Sequence, residues 1–434
     1  MVRKMEISEL YQIFCQHPVV TTDTRDCPAG SLFFALRGET FNGNTFALKA
    51  LEAGCAYAVV DDEDVKGDER LIHVPDVLTA LQELAAYHRV QLNTPIIQIT
   101  GTNGKTTTKE LVAAVLSEKY NLLYTQGNFN NHIGVPKTLL RLTREHEIAV
   151  IETGANHPGE IAALSKLVQA NCGLITNVGK AHLEGFGSFE GVIKTKGELY
   201  DALRQKKGAF IFLNGDNPHL CGIAGGLQAE TYGQPGKGYN VEGEVLSCTP
   251  FLNFRWRAAN GEWQEVHTHL IGSYNIDNAL AAATVGLHFG VTPEQITHAL
   301  SSYQPTNNRS ELKKTAHNAL IVDAYNANPT SMKAALDNFR RIEHDHKMVI
   351  LGEMRELGTA SAEEHRSVVA QLKDLNCETV WLVGKEFAPY AGDYRYFENV
   401  EEVKDALHSQ MIENHLILIK GSNGTKLYQL PDLL

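Results

Sequence analysis

The stretch Pro95–Tyr120 reads PIIQIT, GTNGKTT and TKELVAAVLSEKY in succession, and it decides how the rest of the chain is read. A short β-branched run ends at a loop with glycines at 101 and 104. After the loop, Leu111/Val115 and Val112/Leu116 recur four residues apart, the spacing of one helix face. Strand, glycine-containing loop and helix in that order form a phosphate cradle. Backbone N–H groups of the loop and the positive end of the helix dipole converge on one anionic group. The candidate cradle is Gly101, Thr102, Asn103, Gly104, Lys105, Thr106 and Thr107. Lys105 adds a point charge, and the Thr106 hydroxyl suits a hard cation such as magnesium held beside nucleotide phosphates. The loop is a variant of the general template, because Ile99 stands where a further glycine is usual.

A chain of 434 residues exceeds what one hydrophobic core usually organises, and three domains are expected. Hydrophobic content of 43% with 21% charged residues fits a globular chain. A net charge of −12 argues against a general nucleic-acid binder, so anionic ligands need local devices such as the loop. Seven scattered cysteines without a C-x-x-C pair read as reduced thiols. The opening MVRKMEISELYQIF lacks a signal-peptide core and no apolar run reaches membrane-spanning length, so a cytoplasmic location without a membrane span is expected.

Residues 1–93 read as a small α/β unit. SLFFALRG and AYAVV are its strands, FALKALEAG is a helix closing on Gly54, and TTDTRDCPAG is a polar loop. Residues 94–304 hold the phosphate loop. There IAVIE, GLITNV and AFIFLN alternate with helical stretches, which implies a mainly parallel sheet with ligands at the carboxyl ends of its strands. LNFRWR, a turn at Asn260-Gly261 and the run Trp263–Ile271 predict an antiparallel hairpin added at the edge, followed by a helix from about Asn275. Residues 305–434 carry ALIVDAY, KMVILGE, TVWLVGK and LILIKGS, four apolar strands of a second, doubly wound α/β domain.

Thr106, Glu152, His182 and Lys196 can meet at one metal and phosphate centre. Glu152 closes the strand IAVIE, where a carboxylate meets a cation bridging phosphates, although strand-end glutamates are more often solvated. His182 follows a strand of the same sheet. Lys196 lies in KTKGELY, where the ordinary expectation for an amphipathic helix is a solvated ammonium.

TGTNGKTT, GNFNNHIGVP (127–136), ETGANHPGEI, TNVGKAHLEGFGS, KTKGELY, YNIDNALAA (274–282), NRSEL (308–312), DAYNANPTSM (323–332) and GEMRELG (352–358) together resemble, in this order, the Mur ligases of peptidoglycan synthesis. The resemblance covers essentially the whole chain. It implies ATP-dependent amide synthesis through an acyl phosphate, with the member that joins D-alanyl-D-alanine to UDP-N-acetylmuramoyl-tripeptide as the nearest likeness. It further implies ATP and two Mg²⁺ ions, with Lys105, Lys196, His182 and Glu152 as catalytic residues. Lys196 would be carbamylated by CO₂ and hold the second Mg²⁺ with Glu152 and His182, while Thr106 holds the first.

The same likeness assigns Asn275 to adenine, Arg309 to the γ-phosphate side, and Asp323, Tyr325 and Asn326 to the ribose face. It makes residues 1–93 the UDP-sugar domain, 94–304 the ATP-binding ligase domain and 305–434 the C-terminal Rossmann-like domain. Thr24, Arg25 and Asn42 would contact the UDP-sugar substrate, with Asn130, Asn131, Asn328 and Ser331 as further substrate contacts. Asn42 and Asn44 stand where the family usually has aspartate and histidine, Tyr274 where it has histidine, and Asn423 where many members have arginine. The chain is expected to act as a monomer. Two alternatives stay open: another ligase of this superfamily, such as folylpolyglutamate synthase, and a phosphate-loop ATPase switch that makes no bond.

Overall fold

The computed structural model of the chain describes residues 5–306 and 309–434. Met1–Lys4 and Asn308, which opens the NRSEL run, lie outside the described residues. Among the described residues the alternating apolar runs form three sheets, of four, nine and six strands.

The nine-stranded sheet positions the phosphate loop. Ile96–Thr100 runs between Ile148–Glu152 and Cys172–Ile175, parallel to both, with Ile99 beside Glu152 and Thr100 beside Ile175. This register brings the start of the loop, the Glu152 carboxylate and the turn after Ile175 to one end of the sheet. The helix Lys105–Ser117 leaves the loop and buries Leu111, Val112, Val115 and Leu116 completely. Each such burial is worth about 1.5–3 kcal/mol. Its partner is the helix Asn275–His288, where Ala279, Ala282 and Ala283 have no exposed surface and allow close approach. On the opposite face, Glu160–Val168 and Phe189–Arg204 share a core with the N-terminal helix Val77–Leu92 through Leu84, Leu164 and Leu199. The N-terminal unit is thus packed onto the central sheet.

The expected hairpin exists as Phe251–Ala258 and Gln264–Ile271. It belongs to a wider addition, because Val241–Cys248 pairs antiparallel with Phe251–Ala258 and parallel with Gln228–Gly233. These two inner strands are missing from the sequence reading. QAETYG and the second half of VEGEVLSC are partly exposed and lack a clean apolar run.

The first sheet holds four short parallel strands, Val20–Thr21, Leu32–Phe34, Tyr57–Val60 and Leu71–His73. Gly54 closes the helical stretch at φ +112°, a conformation that favours glycine. In the last sheet Ala319–Asp323, Leu416–Lys420, Lys347–Gly352, Thr379–Val383 and Arg395–Phe397 are neighbours in that order, all parallel. The sequence reading had four strands here. The two it missed are edge strands, the charged Glu311–Lys314, which is antiparallel, and the mostly exposed Arg395–Phe397. Helices Pro329–Arg341 and Ser361–Leu372 pack on one face through Met332, Leu336 and Val368. Val400–Ser409 packs on the other through Val403, which makes the domain doubly wound. All seven cysteines are free. Among the described residues no helix is long and apolar enough to cross a membrane.

Candidate active site

The loop is held by the strand end beside it. Thr102 N donates to Asn177 O (2.9 Å) and Asn103 N to the Asn177 side-chain oxygen (2.9 Å), while Asn103 O accepts from Thr176 Oγ1 (2.6 Å). Gly104 caps the helix at φ +76°, and a Cβ there would sit 2.6 Å from Asn278 Oδ1. Asn278 cannot swing aside freely, because it accepts from Thr108 Oγ1 and donates to Asn275 Oδ1. Lys105 folds back over the loop and donates to the carbonyls of Gly101 and Thr102, both at 2.9 Å. Desolvation pushes its pKa down to about 8, with Glu152 opposing that fall and Arg309 adding to it.

Glu152 is completely buried. Its Oε1 accepts from Asn130 Nδ2 (2.7 Å) and Thr106 Oγ1 (3.2 Å). Its Oε2 has no hydrogen-bond partner among the described residues. A buried carboxylate oxygen without a partner is costly unless something else satisfies it. A hard cation does so, and the Thr106 hydroxyl beside it is a further oxygen donor, so these residues fit magnesium.

Lys196 is only 2% exposed and donates to Ala155 O at 3.2 Å, with its nitrogen 5.0 Å from the centre of the Phe186 ring. Burial, with Lys105 second, lowers its pKa to about 7, against the attraction of Glu160 and Glu198. The expectation of a solvated ammonium is therefore overturned. A signal was present in the sequence: Val192, Lys196, Leu199 and Leu203 follow helical spacing, so the lysine lies in the apolar stripe of its helix.

His182 sits at φ +50° and its Nδ1 is bonded to the Glu356 carboxylate, whose pKa this contact lowers. Glu356 was missed as a site residue, although it lies in the quoted GEMRELG run. The two residues are 174 positions apart, and only the docking of the C-terminal domain joins them.

That docking has further contacts. Asn328 Nδ2 donates to Asn103 Oδ1 (2.8 Å), Lys180 N to Thr330 Oγ1 (3.1 Å) and Lys180 Nζ to Glu364 (2.7 Å). Asn328 also caps the helix Pro329–Arg341 in a reciprocal box with Ser331. Asn328→Ala is expected to lower stability by about 1–2 kcal/mol, read as a shift in urea midpoint. No measurable shift would show that neither the cap nor the amide pair matters.

These elements surround a cavity of about 840 Å³. The loop from Thr102 to Thr107, together with Glu152 and His182, lines it. Lys196 lies directly behind the lining, against Ala155. Asn275, Arg309, Asp323, Tyr325 and Asn326 face the same space. Arg309 stacks on the Tyr325 ring at 4.0 Å, and Asp323 accepts from the buried Lys420 at 2.6 Å. Asn275 is partly committed elsewhere, since its amide donates to Ile271 O (2.8 Å). Tyr274 is bonded to Ser310 Oγ at 2.8 Å.

Of the substrate candidates, Asn130, Asn131 and Ser331 line the cavity, and Asn131 also accepts from Gly134 N at 2.8 Å. Thr24, Arg25 and Asn42 lie in the N-terminal unit, outside this lining. There Arg25 pairs with Asp23, Asn42 accepts from Asn44 N, and Asn44 donates to Asp61 (2.8 Å).

A phosphate-loop α/β domain flanked by two further α/β domains, with a buried carboxylate beside the loop, defines a class of nucleotide-dependent enzyme. The models that match are Mur ligase family, catalytic domain over residues 18–89, Mur ligase middle domain over 99–286, and Mur ligase, glutamate ligase domain over 308–423. The chain belongs to the Mur ligase family. It is 38% identical over 425 residues to the UDP-N-acetylmuramoyl-tripeptide–D-alanyl-D-alanine ligase of Bacillus subtilis (strain 168), covering 95% of this chain and 92% of that protein. To the ligase of the same name from Escherichia coli (strain K12) it is 36% identical, covering 93% and 91%. Its fold is similar to a crystal structure of MurF from Acinetobacter baumannii, with a TM-score of 0.85, 33% identity, and 95% and 92% of the two chains covered.

Proposed function

We propose that the chain is an ATP-dependent amide ligase that adds D-alanyl-D-alanine to UDP-N-acetylmuramoyl-tripeptide, a cytoplasmic step of peptidoglycan precursor synthesis. The observation that carries this reading is the buried Glu152, with one oxygen unpartnered, set beside a phosphate loop in a cavity that all three domains line, the N-terminal one through Gln82. Relatives that bear the name of this activity match nearly the whole chain.

The tripeptide's terminal carboxylate attacks the γ-phosphorus of ATP and ADP leaves. The D-alanyl-D-alanine amine then attacks the acyl phosphate carbon, and phosphate departs from the tetrahedral intermediate. Lys105 and the loop amides neutralise and orient the transferring group, and Arg309 presents a guanidinium fork to it. Thr106 would hold one Mg²⁺, and Glu152, His182 and a carbamate on Lys196 would hold a second; the ions would supply charge that offsets the phosphates. The low pKa of Lys196 supports that modification, since only the neutral amine reacts with CO₂. The contact between His182 and Glu356 closes the C-terminal domain over the site and helps exclude water from the acyl phosphate. In this reading 1–93 binds the UDP-sugar, with Thr24, Arg25 and Asn42 in contact, 94–304 binds ATP, and 305–434 completes the nucleotide and dipeptide sites in a monomer.

The test is phosphate release from ATP and UDP-N-acetylmuramoyl-tripeptide, with and without D-alanyl-D-alanine. Release that depends on the dipeptide, with amide product in equal amount, is expected. Turnover indifferent to the dipeptide would make the chain an ATPase switch instead.

A further inference from the structure

We propose that His346, Glu378 and His415 form a binding site for a divalent transition-metal ion of the zinc type, at the end of the C-terminal sheet remote from the nucleotide cavity. The backbone alone brings these residues together. Leu416–Lys420, Lys347–Gly352 and Thr379–Val383 are adjacent parallel strands, with Lys347 beside Leu416 and Met348 beside Thr379. Each candidate ligand immediately precedes one of these strands. Leu416 N donates to His346 O (2.9 Å) and Glu378 N to Lys347 O (3.0 Å), so the three start points are fixed by the sheet.

The donor atoms converge. One from each of the three side chains lies within 4.8 Å of the others. His346 Nδ1 is 3.0 Å and 3.1 Å from the two Glu378 oxygens, and His415 Nε2 is 3.5 Å from the nearer one. The other nitrogen of His415, Nδ1, lies 2.6 Å from Glu413 O. A carbonyl can only accept, so Nδ1 carries a proton, and in the neutral ring Nε2 is the atom that can ligate, facing Glu378. That is the outer contact by which metal-binding histidines are oriented. His346 is held in its turn, because its backbone N donates to His344 Nδ1 at 3.1 Å.

Two imidazoles and one carboxylate form a recurring zinc set that leaves a coordination position for water. The site opens into a cleft of about 440 Å³ lined also by His344, Asp345 and Asn414, so an ion can enter and keep water. Nitrogen donors favour zinc, nickel or copper over magnesium, which asks for an oxygen shell. The Mg²⁺ of the proposed reaction therefore does not compete for this site. Asp323 and Lys420, which face the nucleotide cavity, end two strands of this same sheet, so metal here sits away from the chemistry.

The experiment uses the full chain, treated with chelator and returned to excess Mg²⁺. It is titrated with Zn²⁺ against a chromophoric competitor, with Co²⁺ absorbance as a second readout of imidazole ligation. One tight Zn²⁺ per chain is expected, weakened about 100-fold in His346→Ala/His415→Ala. Glu378→Gln serves as a second variant, and metal-free thermal unfolding checks that both fold. Ligase turnover should be unchanged in each. Absence of a one-to-one Zn²⁺ complex, or equal binding by wild type and both variants, would overturn the site and leave a surface cluster of His–Glu pairs.

Discussion

Lys105→Ala is expected to slow phosphoryl transfer by about 10²–10³-fold, the usual loss when one preorganised donor to a developing charge is removed. The lysine is the first residue of the helix that follows the loop, and its nitrogen is already gathered over the loop by the carbonyls of Gly101 and Thr102. Those contacts are replaceable: an arriving phosphate offers stronger, charge-assisted acceptors at the same place. At neutral pH a pKa of about 8 keeps the group mostly cationic. Alanine removes the charge and leaves two loop carbonyls without this partner, so two effects need separating. Nucleotide affinity and thermal unfolding report on the loop, whereas single-turnover phosphate release reports on the charge. Wild-type release rates in a well-folded variant would sink the assignment of this loop to phosphate.

How much of this was legible beforehand differs from element to element. The strand–loop–helix unit around Gly101 was readable because its signals are local: a β-branched run, glycines where a Cβ would clash, and a four-residue apolar repeat. Glu152 was readable as a strand end of a parallel sheet, whereas its register beside Ile99 was not. The inner strands Gln228–Gly233 and Val241–Cys248 were not, since their stability comes from neighbours rather than from their own apolar content. Contacts between domains were also closed to inspection. The pairs Asn103–Asn328 and His182–Glu356 join residues 225 and 174 positions apart, and no periodicity encodes which surfaces dock. Departures from the family pattern at Asn42, Asn44 and Tyr274 were visible. That Asn44 is bonded to Asp61 and Tyr274 to Ser310 was not.

Lys196→Ala should be nearly inactive, by about 10² or more, and partly rescued by formate or acetate. An ammonium at this position would be desolvated, with one carbonyl, Ala155 O, and the face of Phe186 in contact and Lys105 adding repulsion that exceeds the attraction of either Glu160 or Glu198. The neutral amine is therefore favoured above a pH of about 7, and roughly nine-tenths of it is unprotonated one unit higher. A neutral amine at that depth has no evident structural purpose, but it can add to CO₂ and become an anion. In the proposed mechanism that anion would supply the negative charge a second cation beside Glu152 requires.

Three consequences follow from the sign of the shift. Activity in CO₂-depleted buffer should fall as pH drops through about 7, where the amine takes up a proton, and added bicarbonate should restore it. Lys196→Arg, cationic at every accessible pH, should be inactive and insensitive to carboxylates. In Lys196→Ala the space vacated by the side chain admits a small carboxylate, which supplies the same charge without the covalent link. Full activity of Lys196→Ala without any added carboxylate would reduce this residue to a buried packing group. Loss without rescue, together with an active Lys196→Arg, would mean that a positive charge is what the position provides.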